Sequence, residues 1–303
     1  MFASLRQSRF YPLLLLVATG TTLGLSTPFA KVALDQGISP VAFAFWQNLI
    51  GGLLLLVLAC ATGSRPVASA QHLRFFLISG FITLALPHVL IFLAVARIGA
   101  GLPSVVYAFP TLLTYSLALL LGMEKLVWRR AAGIGLGLVG ILLILVPRSG
   151  PVAGPDLPWM LLAFIAPVAL AIGNIYRTRA WPQNAAPLLL AAGTLLAAAL
   201  WLLLAGGAMA LVSSPRLYLP GHGETDWVLP VAGGFACLSF ITYFELQRVA
   251  GPVYLSQIGY VITTTSLMIG AFYFGESYSL LVWGALLVII FGILLVNQRP
   301  SQR

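Results

Sequence analysis

The sequence predicts an all-α integral membrane protein of ten transmembrane helices, arranged as two inverted five-helix repeats with both termini in the cytoplasm. Three observations predict it: a composition too apolar for water, ten long apolar runs, and an internal duplication of halves that each hold an odd number of runs. Hydrophobic residues make up 60% of the chain and charged residues 8%, and the mean hydropathy is +1.01. A soluble domain keeps roughly a quarter of its residues charged, so most of this surface faces lipid.

A membrane helix needs about 20 mostly apolar residues, and charge, Pro and Gly cut the chain into ten such stretches. They are Phe10–Ala30, Pro40–Ala61, Leu73–Ala96, Leu102–Leu121, Arg130–Val146, Leu157–Tyr176, Ala185–Ala205, Trp227–Gln247, Val253–Phe274 and Tyr278–Val296. Arg6 and Arg9 ahead of the first run imitate a signal peptide, but the run continues to Ala30 without an A-x-A cleavage site, which favours a retained span. The longest connection, Gly206 to Asp226, contains Pro215, Pro220, Gly221 and Gly223 and reads as a turn-rich loop. Trp159, Trp181, Trp227, Tyr11 and Tyr278 stand near span ends as interfacial anchors.

The net charge of +9 sets orientation. The basic residues occur singly or in pairs, with no basic run or interleaved aromatics, which excludes a nucleic-acid surface. Arg6, Arg9, Arg65, Arg74, Lys125, Arg129, Arg130, Arg177, Arg179, Arg248, Arg299 and Arg303 gather on one side, against Lys31, Arg97, Arg148 and Arg216 on the other. The positive-inside rule places both termini in the cytoplasm. Cys60 and Cys237 both lie in apolar runs, so neither a disulfide framework nor a metal site is expected, and no cofactor.

The duplication appears when the second half is laid on the first. Leu121-Gly122-Met123-Glu124 falls on Tyr273-Phe274-Gly275-Glu276, and Gly140-Ile141-Leu142-Leu143 falls on Gly292-Ile293-Leu294-Leu295. Arg97-Ile98-Gly99-Ala100 and Arg248-Val249-Ala250-Gly251 align with a one-residue slip. The expected units are residues 1–150 and 151–303. Five spans each force opposite insertion, and inverted repeats of this kind underlie many secondary transporters. A span with a central Pro110, ending in Gly122-Met123-Glu124 and followed by Gly133, Gly135, Gly137 and Gly140, resembles the EamA-type repeat of the drug/metabolite transporter superfamily. That resemblance covers nearly the whole chain. It implies ten helices in two inverted units, and the export of amino acids, other metabolites or drugs across a bacterial inner membrane. The second copy has Ile262 where the first has Pro110, and Trp46-Gln47-Asn48 stands in the second span where the family often has an arginine.

Polar side chains at membrane depth are costly, so those in mid-span are candidates for a pathway. His88 follows Pro87, whose missing N–H frees a carbonyl and widens the helix. It reads either as a cavity donor or proton carrier, or as a neutral imidazole satisfied by a backbone carbonyl. Glu245 reads as an i,i+3 partner of Arg248, with proton coupling the alternative. Glu124 and Glu276 precede helices and favour their positive ends. The remaining pathway candidates are Trp46, Gln47, Asn48, Tyr107, Pro110, Tyr243, Gln257, Tyr260 and Thr264, with Asn174 a weaker one. Ser256, Gln257, Tyr260, Thr263 and Thr264 share one stripe that must face protein or a cavity. Gly133, Gly135, Gly137, Gly140, Gly284 and Gly292 permit close helix approach, for a scaffold or a homodimer contact.

These features favour a transporter of small neutral or zwitterionic solutes in the inner membrane. The alternatives are an intramembrane enzyme, for which no HExxH or paired carboxylate is present, and a non-transporting scaffold. No GxxxxGK loop is present, so any pumping draws on an ion or solute gradient.

Overall fold

The computed structural model describes residues 10–64, 69–90, 109–145, 157–213, 227–272 and 279–297. Among them every regular element is helical. The first half gives α1 (Tyr11–Asp35), α2 (Pro40–Ala61), α3 (Ala70–Leu90), α4 (Phe109–Leu120) and α5 (Trp128–Leu145). The second gives α6 (Leu157–Arg179), α7 (Pro187–Ser213), α8 (Val228–Ser256), α9 (Ile258–Phe272) and α10 (Leu280–Asn297). By length and hydropathy α2, α3, α7 and α8 can each cross a membrane; shorter apolar stretches are Tyr11–Leu25, Phe109–Leu120 and Leu280–Val296. Both termini, Glu276 as the expected repeat mate of Glu124, and the candidate Tyr107 lie outside the described residues.

Several expected boundaries move, α1 running on to Asp35 and α8 to Ser256. The sequence stops the seventh span at Ala205, whereas α7 continues to Ser213. Gly206 and Gly207 do not end it, because a helix that keeps its backbone bonds internal is the only stable choice in lipid. Likewise α6 runs past Tyr176 to Arg179 and takes Arg177 inside the bundle.

In α3 the backbone adopts a π-helical stretch over Phe81–Ala85. Pro87, two residues on, brings no N–H to the carbonyls one turn back. Widening the preceding turn is how the chain absorbs that missing donor, and such bulges recur at functional sites. α8 is bent at Gly251, where φ is +77°, a left-handed conformation that glycine adopts without a side-chain clash. Pro252 follows and starts the short segment that leads into α9.

The most extensive contact among the described helices is α5 on α10. There Gly133 and Gly292 approach until a Cβ on Gly292 would stand 2.6 Å from the Gly133 carbonyl oxygen. Gly137 meets the ring of Tyr260 and Gly140 meets Ile289, while Gly135 and Gly284 face open space. The other major contacts are α2 with α7 and α8, α1 with α8 and α9, α3 with α7, and α4 with α6. Advancing each helix number by five carries α1–α9 onto α6–α4 and α2–α8 onto α7–α3, and carries α1–α8 onto the less extensive contact of α6 with α3.

Candidate functional site

Where the two halves meet, a cavity of about 240 Å³ opens between seven helices. The first half supplies Leu23, Gln47, Asn48, Thr83, Leu84, Pro87, His88 and Pro110. The second supplies Leu170, Asn174, Ala236, Phe240, Tyr243, Leu255, Ser256, Ile258, Gly259 and Ile262. A mostly apolar wall with a few amides, a phenol and an imidazole is the usual make-up of a small-molecule site. A second cavity, of about 500 Å³, lies between α2, α3 and α7, but apart from Ser69 its lining is apolar. It offers little that could orient a solute.

Two of the polar groups in the first cavity are held by the preceding turn of their own helices. On α2, Asn48 donates its amide to the carbonyl of Ala44 at 2.7 Å and is buried. The His88 ring bonds the Leu84 carbonyl through Nδ1 at 2.5 Å. A carbonyl only accepts, so Nδ1 carries the proton. The ring is thus bonded to backbone and also lines the cavity.

Arg177 lies one residue layer behind that wall and is fully buried. Its Nη1 donates to Thr83 Oγ1 at 3.3 Å, and its Nη2 donates to Asn174 Oδ1 at 2.7 Å and to the Tyr243 hydroxyl oxygen. The guanidinium carbon stands 4.8 Å from the centroid of the Tyr243 ring and 5.7 Å from that of Phe244. Such cation–π contacts offset part of the desolvation of the charge. Asn174 Nδ2 continues the network to Thr114 at 3.3 Å, and Gln247 Nε2 joins it through the Asn174 carbonyl and Thr178, each at 3.1 Å. Thr83, Asn174 and Tyr243 therefore form a floor that faces the cavity on one side and the guanidinium on the other.

The sequence reading counted Arg177 as a cytoplasmic flank. The overlooked signal was spacing: Asn174, Arg177 and Thr178 stand at i, i+3 and i+4, a continuous polar face on one helix.

Among the other sequence candidates, Gln47, Asn48, His88, Pro110 and Tyr243 meet at this cavity, together with the weaker candidate Asn174. Trp46, Gln257, Tyr260 and Thr264 are not part of its lining. Trp46 packs edge-on against Phe45, with centroids 5.1 Å apart. Tyr260 is turned toward α5 and donates its hydroxyl to the Ile134 carbonyl at 3.0 Å. Gln257 is fully buried at the turn between α8 and α9, where its side-chain amide has no hydrogen bond among the described residues. Thr264 bonds back to the Tyr260 carbonyl of its own helix at 2.9 Å, and Thr263 does the same to Gly259. The stripe therefore needs no single polar surface opposite it, because a threonine hydroxyl can be satisfied by the preceding turn. Glu245 lies outside the cavity. It binds Arg248 through both oxygens, at 2.7 and 2.9 Å, and accepts from the Tyr11 hydroxyl at 3.3 Å.

Residues 10–146 match the family described as EamA-like transporter family. The chain is 28% identical over 279 residues to the uncharacterized inner membrane transporter YedA of Escherichia coli strain K12, covering 85% of this chain and 81% of that protein. It is 24% identical over 288 residues to the uncharacterized transporter YvbV of Bacillus subtilis strain 168, covering 92% of this chain and 89% of that one. A solved crystal structure superposes with a TM-score of 0.73 at 20% identity, covering 93% of this chain and 98% of the other. That similarity is one of fold.

Proposed function

Because the chain is an EamA-type protein of the drug/metabolite transporter superfamily, a multi-pass inner-membrane transporter of small solutes, we propose that it exports amino-acid-like metabolites by alternating access. The working units are residues 1–150 and 151–303, inserted with opposite orientation and both ends in the cytoplasm. The observation that carries this reading is the cavity itself, formed where both halves meet and lined by groups from α2, α3, α6 and α8 that can orient a small solute. The five-step recurrence of helix contacts supports two near-equivalent units around it, and two such units can exchange packings to open either side. Gln47, Asn48, His88 and Tyr243 are the binding groups in this reading. Pro110 and Pro87 shape the helices that hold them.

Purified protein in proteoliposomes is expected to move radiolabelled amino acids or related metabolites in counterflow, with no other protein present. A folded preparation inert to a broad panel of neutral, zwitterionic and acidic metabolites overturns the reading. Glu245 is assigned a structural role. The Glu245 side chain is 12% exposed but its partner Arg248 is 44% exposed, and a pair open to solvent on one side contributes on the order of 1 kcal/mol. Glu245→Gln is therefore expected to leave counterflow and its pH profile unchanged and to lower the melting temperature only slightly. A flattened pH profile would assign Glu245 to proton coupling instead.

A further inference from the structure

Among the described residues no carboxylate faces the buried charge of Arg177. Among the described side chains the two carboxylates are engaged elsewhere, Glu124 with Arg130 at 2.6 Å and Glu245 with Arg248 at 2.7 Å. The guanidinium is bound only by neutral oxygens, and its Nε has no hydrogen-bond partner among the described residues. An unneutralised charge buried in a membrane protein is expensive to hold, and such groups mark ion and substrate sites. Tyr243 links this charge to the cavity. Its hydroxyl oxygen accepts from Arg177, so the hydroxyl proton is directed elsewhere, and no acceptor for it is found among the described residues. A hydroxyl polarised by a cation behind it is a strengthened donor, because hydrogen bonds in a chain reinforce one another.

The geometry points to a carboxylate subsite at the cavity floor, in which the Tyr243 hydroxyl donates to the substrate and Arg177 supplies the compensating charge from behind. The inference rests on the transporter reading and sharpens it: the cargo is a small carboxylate with an apolar body, for which Phe240, Leu255 and Ile262 provide the remaining wall. Among the described residues no carboxylate lines the cavity to pair with an amine, so the site favours the acid group of the substrate over an ammonium.

Phenylacetate, phenylacetamide and phenethylamine form a matched anionic, neutral and cationic set for thermal-shift titration of the purified full chain. Phenylacetate is expected to stabilise the protein at concentrations about tenfold lower than the amide, the factor that a hydrogen bond to a charged group supplies. Phenethylamine is expected to give no shift. Tyr243→Phe keeps the ring that stacks on Phe240 and lies near Arg177 but removes the donor, so carboxylate and amide become equivalent. Asn174→Asp places an internal carboxylate where Oδ1 already lies 2.7 Å from Nη2. That variant is expected to melt higher without ligand and to lose its response to phenylacetate.

Equal shifts from the carboxylate and the amide in the native protein, no shift from phenylacetate, or an undiminished phenylacetate response in either variant overturns the proposal. Should Asn174→Asp not fold, Tyr243→Phe decides alone. Transport of neutral solutes without carboxylate preference removes this inference and leaves the transporter reading standing. Carboxylate-selective stabilisation with no solute movement in proteoliposomes does the reverse.

Discussion

Gly292→Leu is expected to lower the melting temperature of the detergent-solubilised protein by roughly 6 °C or more, as a loss of about 3 kcal/mol would. A Cβ at this position would stand 2.6 Å from the Gly133 carbonyl oxygen and 3.0 Å from the Gly137 amide nitrogen. Both are backbone atoms of α5, so no rotamer change can make room and the two helices must separate along their length. In lipid, helix association depends on close van der Waals packing, and separation forfeits it. Gly284→Leu on the same helix is the control. Nothing lies within 4 Å of a Cβ there, so the change is expected to stay within about 0.5 kcal/mol. Equal losses at the two positions would show that the α5–α10 approach is not what Gly292 serves.

Pro87→Ala is expected to raise the melting temperature and slow transport about tenfold. An alanine restores the N–H that α3 lacks and lets the π-helical stretch over Phe81–Ala85 return to ordinary helix. Proline inside a helix costs about 3 kcal/mol. Recovering even half of that biases α3 toward a straight form by about 1.4 kcal/mol, which makes the cavity-bearing form roughly tenfold rarer. Thr83 and His88 flank Pro87 in the cavity wall and would turn with the helix. A stabilised variant that still transports at the native rate would separate the bulge from function.

Most of the helical framework was legible in the sequence because lipid allows few choices. Apolar runs of the right length can only be helices, and Pro40, Pro187 and the Gly251-Pro252 pair mark where helices begin or bend. Pro87 pointed to a distorted α3, and the spacing of Glu245 and Arg248 pointed to their ion pair. The misjudged features depended on partners distant in sequence. Arg177 read as an interfacial cation because its last-turn position fits that pattern, yet its burial is decided by Tyr243, 66 residues away. Tyr260 read as a pathway residue because it shares a face with Ser256, but its hydroxyl is claimed by Ile134, 126 residues away on α5. Local spacing indicates which residues share a helix face. It does not say which neighbour that face meets.

The seam between α5 and α10 has a practical consequence for watching the protein work. At Gly133 and Gly292 the two backbones approach directly, so the spacing of these helices is set by van der Waals contact between main chains. Leu142 on α5 and Leu294 on α10 are 37% and 47% exposed and can carry spectroscopic labels without entering the seam. A label pair at these positions is expected to serve as an internal ruler of constant length, against which any change of distance across the cavity can be calibrated in the same molecule.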